Sequence, residues 1–162
     1  MAAVDYYLKL DGIDGESTDD KHKGEIDIES FSLGVTQSGA NAARGGGGAG
    51  KAVFQDIHFV SKISKASPKL MEACAIGTHI KSAILVSRKA GGTQEEYLKY
   101  KLTDVLISSF QTGGSGHSDI VPTDQFSINF AKIEMEYKEQ KPDGSLGGAV
   151  KSGYDLKANK KV

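Results

Sequence analysis

A chain of 162 residues is long enough to bury one hydrophobic core and short for two, so one domain spanning residues 1–162 is expected. With 38% hydrophobic and 25% charged residues the composition is that of a globular protein, which excludes disorder of the whole chain. Twenty Lys plus Arg against twenty-one Asp plus Glu give a net charge of -1, leaving no global field to draw the chain to nucleic acid or into an anionic membrane.

The segment Met1 to Lys9 lacks a basic start followed by an apolar run, so no secretory signal peptide is expected. Nor does any apolar stretch approach the ~20 residues of a membrane span. Twenty glycines, three prolines and short alternating runs predict strands joined by turns. The first strand is Val4 to Leu10, closed by Asp11-Gly12, and a polar loop follows from Glu16 to Lys23. Ile26 and Ile28 open the second strand. From Ser30 to Val35 the alternation puts Phe31, Leu33 and Val35 on a core face and Ser30 and Ser32 on the other. Gln37 to Gly50 contains six glycines and almost nothing to bury, and is expected to be a long mobile loop.

Val53 to Ser61 reads as a strand. Ser67-Pro68 then predicts the one helix, with Ser67 as N-cap, Pro68 at the first helical position, Leu70, Ala73 and Cys74 on one face, and Gly77 as the left-handed stop. Cys74 is the only cysteine, so no internal disulfide can form, and its apolar neighbours suggest a small buried side chain rather than a nucleophile. Strands at Ile80 to Arg88, Tyr97 to Thr103 and Val105 to Phe110 follow. Along Asp124 to Tyr137 the apolar phase flips between Phe130 and Ile133, which one flat strand cannot satisfy. A bulge, or a strand passing from one sheet to another, resolves it. Pro142-Asp143-Gly144 is a turn, and a last strand surrounds Tyr154. The sum is a mainly β fold: a small closed or nearly closed barrel or sandwich of about eight to nine strands with one short flanking helix.

Candidate chemistry is sparse. Gly45-Gly46-Gly47-Gly48-Ala49-Gly50-Lys51-Ala52 approaches a phosphate-binding loop, but Ala52 stands where Ser or Thr would hold magnesium, and a strand pattern follows in place of a helix. Gly113-Gly114-Ser115-Gly116-His117 approaches a nucleophile elbow, which keeps a serine hydrolase on Ser115 and His117 as the alternative. A triad needs its members to converge, however, and near neighbours on one loop rarely do. His22, His58, His79 and His117 are scattered away from metal-ligand spacing, so no metal and no cofactor is expected. Strand edges and glycine-rich loops favour an association module over an enzyme.

Several blocks carry a resemblance. Tyr7 to Ser17, Ser30-Phe31-Ser32-Leu33-Gly34-Val35, Phe54-Gln55-Asp56-Ile57-His58-Phe59, Lys65 to Leu70, Arg88-Lys89-Ala90-Gly91-Gly92, Ser108 to Gly116, Asn129 to Ile133 and Asp143 to Gly148 together resemble the haemolysin-coregulated (Hcp) family of type VI secretion. Phe31 and Leu33 stand where many members of that family carry tryptophan. The resemblance implies a β-barrel subunit assembled as a hexameric ring, with rings stacked into a hollow tube like that of a phage tail. Implied partners are further copies of the chain, a VgrG-type spike, contractile sheath proteins and secreted effectors. The implied route begins in the bacterial cytoplasm and ends in export by the secretion machine itself. On this reading Gln37, Ser38, Gly45, Gly46, Gly47, Gly48 and Gly50 form a contact between subunits or rings, and Ser30 and Ser32 face the lumen.

Overall fold

Alternating apolar and polar residues fold here into antiparallel strands whose inward side chains meet in one core. The computed structural model describes residues 4–37, 52–89 and 94–162. Ser38, Gly45, Gly46, Gly47, Gly48 and Gly50 lie outside the described residues. In chain order the elements are β1 (Val4–Leu10), β2 (Ile26–Ile28), β3 (Ser30–Ser32), β4 (Val35–Gln37), β5 (Ala52–Phe54) and β6 (Ile57–Lys62). They continue with α1 (Ala66–Ile76), β7 (His79–Lys89), β8 (Glu96–Gly113), β9 (Thr123–Gln140), β10 (Leu146–Asp155) and β11 (Lys160–Lys161).

Nine strands form the main sheet along the path β11-β10-β9-β8-β7-β1-β2, with β6 joined to β9 and β3 to β6, while β4 and β5 pair as a separate arm. β2 and β3 are two pieces of one segment interrupted at Glu29, whose N–H donates to the carbonyl of Val60 at 2.8 Å. One piece pairs with β1 and the other with β6, so the ladder nearly returns on itself through this segment. The barrel is nearly closed rather than closed.

Inside it, Leu8, Leu85, Leu102, Val105, Ile107 and Ile128 are fully buried, and Phe59 stacks on Phe126 with ring centres 5.2 Å apart. Each such side chain contributes about 1.5–3 kcal/mol relative to exposure. Helix α1 closes one side with Ala66, Leu70 and Ala73, spaced so that they share a face. Cys74 is half-buried against the same core.

The phase flip expected between Phe130 and Ile133 is present and is matched across the ladder. Phe130 pairs with Val105 and Ile133 with Leu102, all four being buried, so β8 and β9 change phase at the same level. Asp104 makes this possible by adopting φ 54°, in the left-handed region that Asp tolerates better than most residues. Beyond this corner β9 also exchanges partners along one edge, from β6 at Thr123 to Ile128 to β10 at Lys132 to Gln140. A separate bulge lies at Ser108 in β8.

Four expectations are corrected. The run Ser30 to Val35 is not one strand: it breaks at Leu33-Gly34, and Val35 belongs to the β4–β5 arm with 55% exposure rather than to the core. Val53 to Ser61 likewise breaks at Gln55-Asp56, where the Gln55 N–H donates to the Gly34 carbonyl at 2.8 Å. Tyr97 to Thr103 and Val105 to Phe110 are one strand through Asp104. Ser67 is not the N-cap, a position held by Lys65, and Pro68 is the third helical residue rather than the first; Ser67 lies inside the first turn, buried, and its hydroxyl donates to Asp124.

Candidate assembly surfaces

Because β3, β6, β9 and the end of β8 turn Phe59, Phe126 and their neighbours inward, their intervening residues point outward as one sheet face. The register lines these up in rows. Ser32 lies beside His58, then Ser127, then Ser109. Ser30 lies beside Val60, then Gln125, then Gln111. Below them Asn129 donates to the Asp56 carboxylate at 3.0 Å. Ser108 and Ser127 share a hydroxyl hydrogen bond of 2.7 Å. The face is therefore built mainly from hydroxyls and amides, with half-buried Val60 in one row and Ser127 itself buried in the other. Within those two rows His58 is the only ionisable group, and Lys62 beyond it has Glu29 at 4.0 Å.

Such a face can hydrogen-bond water and does little else: it offers neither an apolar patch nor an unbalanced charge to hold a passing chain. Ser30 and Ser32, singled out by alternation, are both exposed within it. Ser109, Gln111, Gln125 and Ser127 were not singled out. Their signal was available in Gln125-Phe126-Ser127-Ile128-Asn129-Phe130, where uncharged polar residues alternate with apolar ones along a whole strand.

The β4–β5 arm carries the 38–51 segment. Gln37 is not a loop residue but the last residue of β4, exposed and opposite Ala52. The arm is held to the barrel by Phe54, whose ring packs 6.0 Å from Phe130 and 5.5 Å from Tyr154. Val35 and Val53 remain exposed, more than half of each surface facing solvent. Ala52 opens a strand where a phosphate-binding loop would open a helix.

Ser115, His117 and Asp119 all lie exposed in the loop after β8. Ser115 Oγ accepts the backbone N–H of His117 at 3.4 Å, a local turn that does not join the serine to the imidazole.

The loop from Glu16 to Lys23 is pinned more firmly than its polar sequence suggests. Arg88, 2% exposed, donates to Asp19 through two nitrogens and to the Tyr7 hydroxyl at 3.0 Å, with its guanidinium over the Tyr7 ring. His22 stacks on the Tyr7 ring with centres 4.4 Å apart and meets Glu25 and Glu96 at 3.0 and 2.8 Å. The Arg88 hydrogen bond holds the Asp19 carboxyl below its ordinary value, while burial raises the Tyr7 phenol despite the nearby guanidinium. The cluster ties the loop to β1, β7 and β8. Its partners are too far apart in sequence to be read from spacing.

The chain matches the family described as "Type VI secretion system effector, Hcp" over residues 7–137. It is 46% identical over 159 residues to Protein hcp1 of Pseudomonas aeruginosa, which covers 97% of this chain and 98% of that one. Hcp1 from Salmonella typhimurium shares the fold with a TM-score of 0.82 at 38% identity, over 99% of this chain and 100% of that one. A chain described as "a type six secretion system protein" reaches a TM-score of 0.90 at 34% identity, again over 99% and 100%.

Proposed function

We propose that this chain, which belongs to the Hcp family of type VI secretion system effectors, is the repeating subunit of a hollow secretion tube. Residues 1–162 act as one domain. Copies close into hexameric rings, the rings stack, and the tube is expelled by a contractile sheath with a VgrG-type spike at its tip. It leaves the cytoplasm by that route, and its lumen holds small effectors.

One observation carries this reading: the outward face of β3, β6, β9 and β8 is polar, nearly uncharged and four strands wide. A tube wall that must let cargo slide needs weak, evenly spread interactions, since apolar patches or fixed charges would retain it. Ser30, Ser32, Gln111 and Gln125 supply such a surface. The protein acts by association rather than catalysis, a reading supported by the Ser115 hydroxyl being engaged with its own loop backbone.

Single cysteines at Ser32 and Gln111, in a Cys74→Ala background, test the lumen assignment. With a maleimide attached to a polymer too large to enter the tube, both sites are expected to react in dissociated subunits and to be protected in tubes. Equal reaction in both states rejects the assignment.

A further inference from the structure

His22 is 5% exposed, and each of its ring nitrogens faces a carboxylate. Nδ1 lies 3.1 and 3.0 Å from the two Glu25 oxygens, and Nε2 lies 2.8 Å from Glu96. An ionised carboxylate only accepts hydrogen bonds, whereas a neutral imidazole has one N–H and one lone pair. Both contacts are therefore satisfied only by the imidazolium. Once a proton leaves, one ring nitrogen presents a lone pair to an anion.

The two carboxylates are not equally free to move away. The Glu25 side chain is 15% exposed, both its oxygens lie at Nδ1, and its backbone N–H donates to the His22 carbonyl at 3.1 Å. The Glu96 side chain is 40% exposed at the first position of β8, where it can turn to water. Two residues earlier, Gln94 adopts φ 50°, in the left-handed region that few residues other than glycine take up. Loss of the proton therefore frees Glu96 and, with it, a strained turn. Tyr97 limits the release, because its hydroxyl accepts from Ser87 at 2.9 Å and Lys89 lies over its ring.

The other groups around His22 hold their charge near neutral pH. Burial keeps the Tyr7 phenol, stacked on the imidazole, above its ordinary 10.0, and Arg88 keeps the Asp19 carboxyl below its ordinary 3.8. Arg88 itself stays charged, with Asp5 at 3.9 Å, and Asp20, Lys21 and Lys23 are exposed on the loop. From this geometry we propose that His22 and Glu96 form a pH-sensitive latch. The imidazolium ties the loop from Glu16 to Lys23 to the start of β8; as pH rises the latch lets go of Glu96 and keeps Glu25, while the Arg88–Asp19 contact still anchors the loop. The device works within one subunit and does not depend on tube formation.

Hydrogen–deuterium exchange of the full chain, converted to protection factors from about pH 5 to about pH 9, tests the latch, with nitrogen NMR of labelled histidine reporting the ring. Both His22 nitrogens are expected to carry protons at the acid end, with His22→Gln identifying their signals. Protection at residues 20–25 and 94–96 is expected to fall about tenfold or more across the range, the worth of a hydrogen bond to a charged group. Residues 98–106 are expected to keep theirs. The amide of Glu96→Gln can accept from an N–H or donate to a lone pair, so this variant is expected to stay shut at both ends of the range, and Glu96→Ala to be open at both. A singly protonated ring at the acid end, protection that does not change with pH, or a Glu96→Gln chain that opens as wild type does overturns the proposal.

Discussion

Removing one hydroxyl at the foot of α1 tests how the helix is anchored. Ser67 Oγ donates to Asp124, which is fully buried, and accepts the Ser64 N–H at 3.0 Å. The second Asp124 oxygen has no partner among the described residues. In Ser67→Ala the buried carboxyl therefore loses its one side-chain donor, and a hydrogen bond to such a group is worth about 1.5–3 kcal/mol. Loss of the Ser67 hydroxyl as acceptor for the Ser64 N–H adds a smaller amount, since that hydrogen bond is only partly buried. Better helix propensity of Ala opposes this by about 0.5 kcal/mol. The expected net loss is about 2 kcal/mol, measured by urea unfolding at fixed protein concentration. A double-mutant cycle with Asp124→Asn separates the pair from the helix. With the amide at 124, the cost of Ser67→Ala is expected to fall by at least about 1 kcal/mol. A loss below about 0.5 kcal/mol in the wild-type background, or equal losses in both, refutes the reasoning.

Gly15→Ala places a Cβ 2.5 Å from the Glu25 carbonyl oxygen and 2.6 Å from the Ile26 Cα, both backbone atoms, so about 1–3 kcal/mol of stability is expected to be lost in the same assay. The Asp19 carboxyl, held below its ordinary 3.8 by Arg88, contributes stability that is present above that value and lost as pH falls through its lower folded value. Thermal melts of Arg88→Gln are therefore expected to depend less steeply on pH below about 4 than wild type, with Asp104 and Asp143, also lowered, keeping a residual slope; an unchanged slope contradicts this. Replacing Gly45 to Gly48 by charged residues is expected to shorten tubes seen by negative-stain microscopy, and unchanged tube length removes that segment from the stacking contact.

Strand positions were legible where apolar and polar residues alternate over several positions, as from Phe126 to Phe130 in β9, because burial of one face imposes a period of two. The corner in β9 was legible for the same reason, since Phe130 and Ile133 cannot share a face without a distortion. What failed was local. Nothing in Phe31-Ser32-Leu33-Gly34-Val35 signals that the chain leaves the barrel at Gly34, because that break is fixed by Gln55 across the arm. Ser67-Pro68 has the chemistry of a helix start, yet a buried acid 57 residues away captures the hydroxyl and the helix begins earlier. The Arg88, Asp19 and His22 cluster was illegible because its members meet only after β1, β7 and β8 assemble. The outward polar rows could have been read further than Ser30 and Ser32.

Self-association around a central opening is the claim on which the functional account depends. Electron microscopy of the purified full chain, over a range of concentrations and with its secretion components present, addresses it directly. Annular particles with a hole, and stacks of them, are the expected result. Particles of single-subunit size under every condition, with no incorporation into tubes, would contradict it.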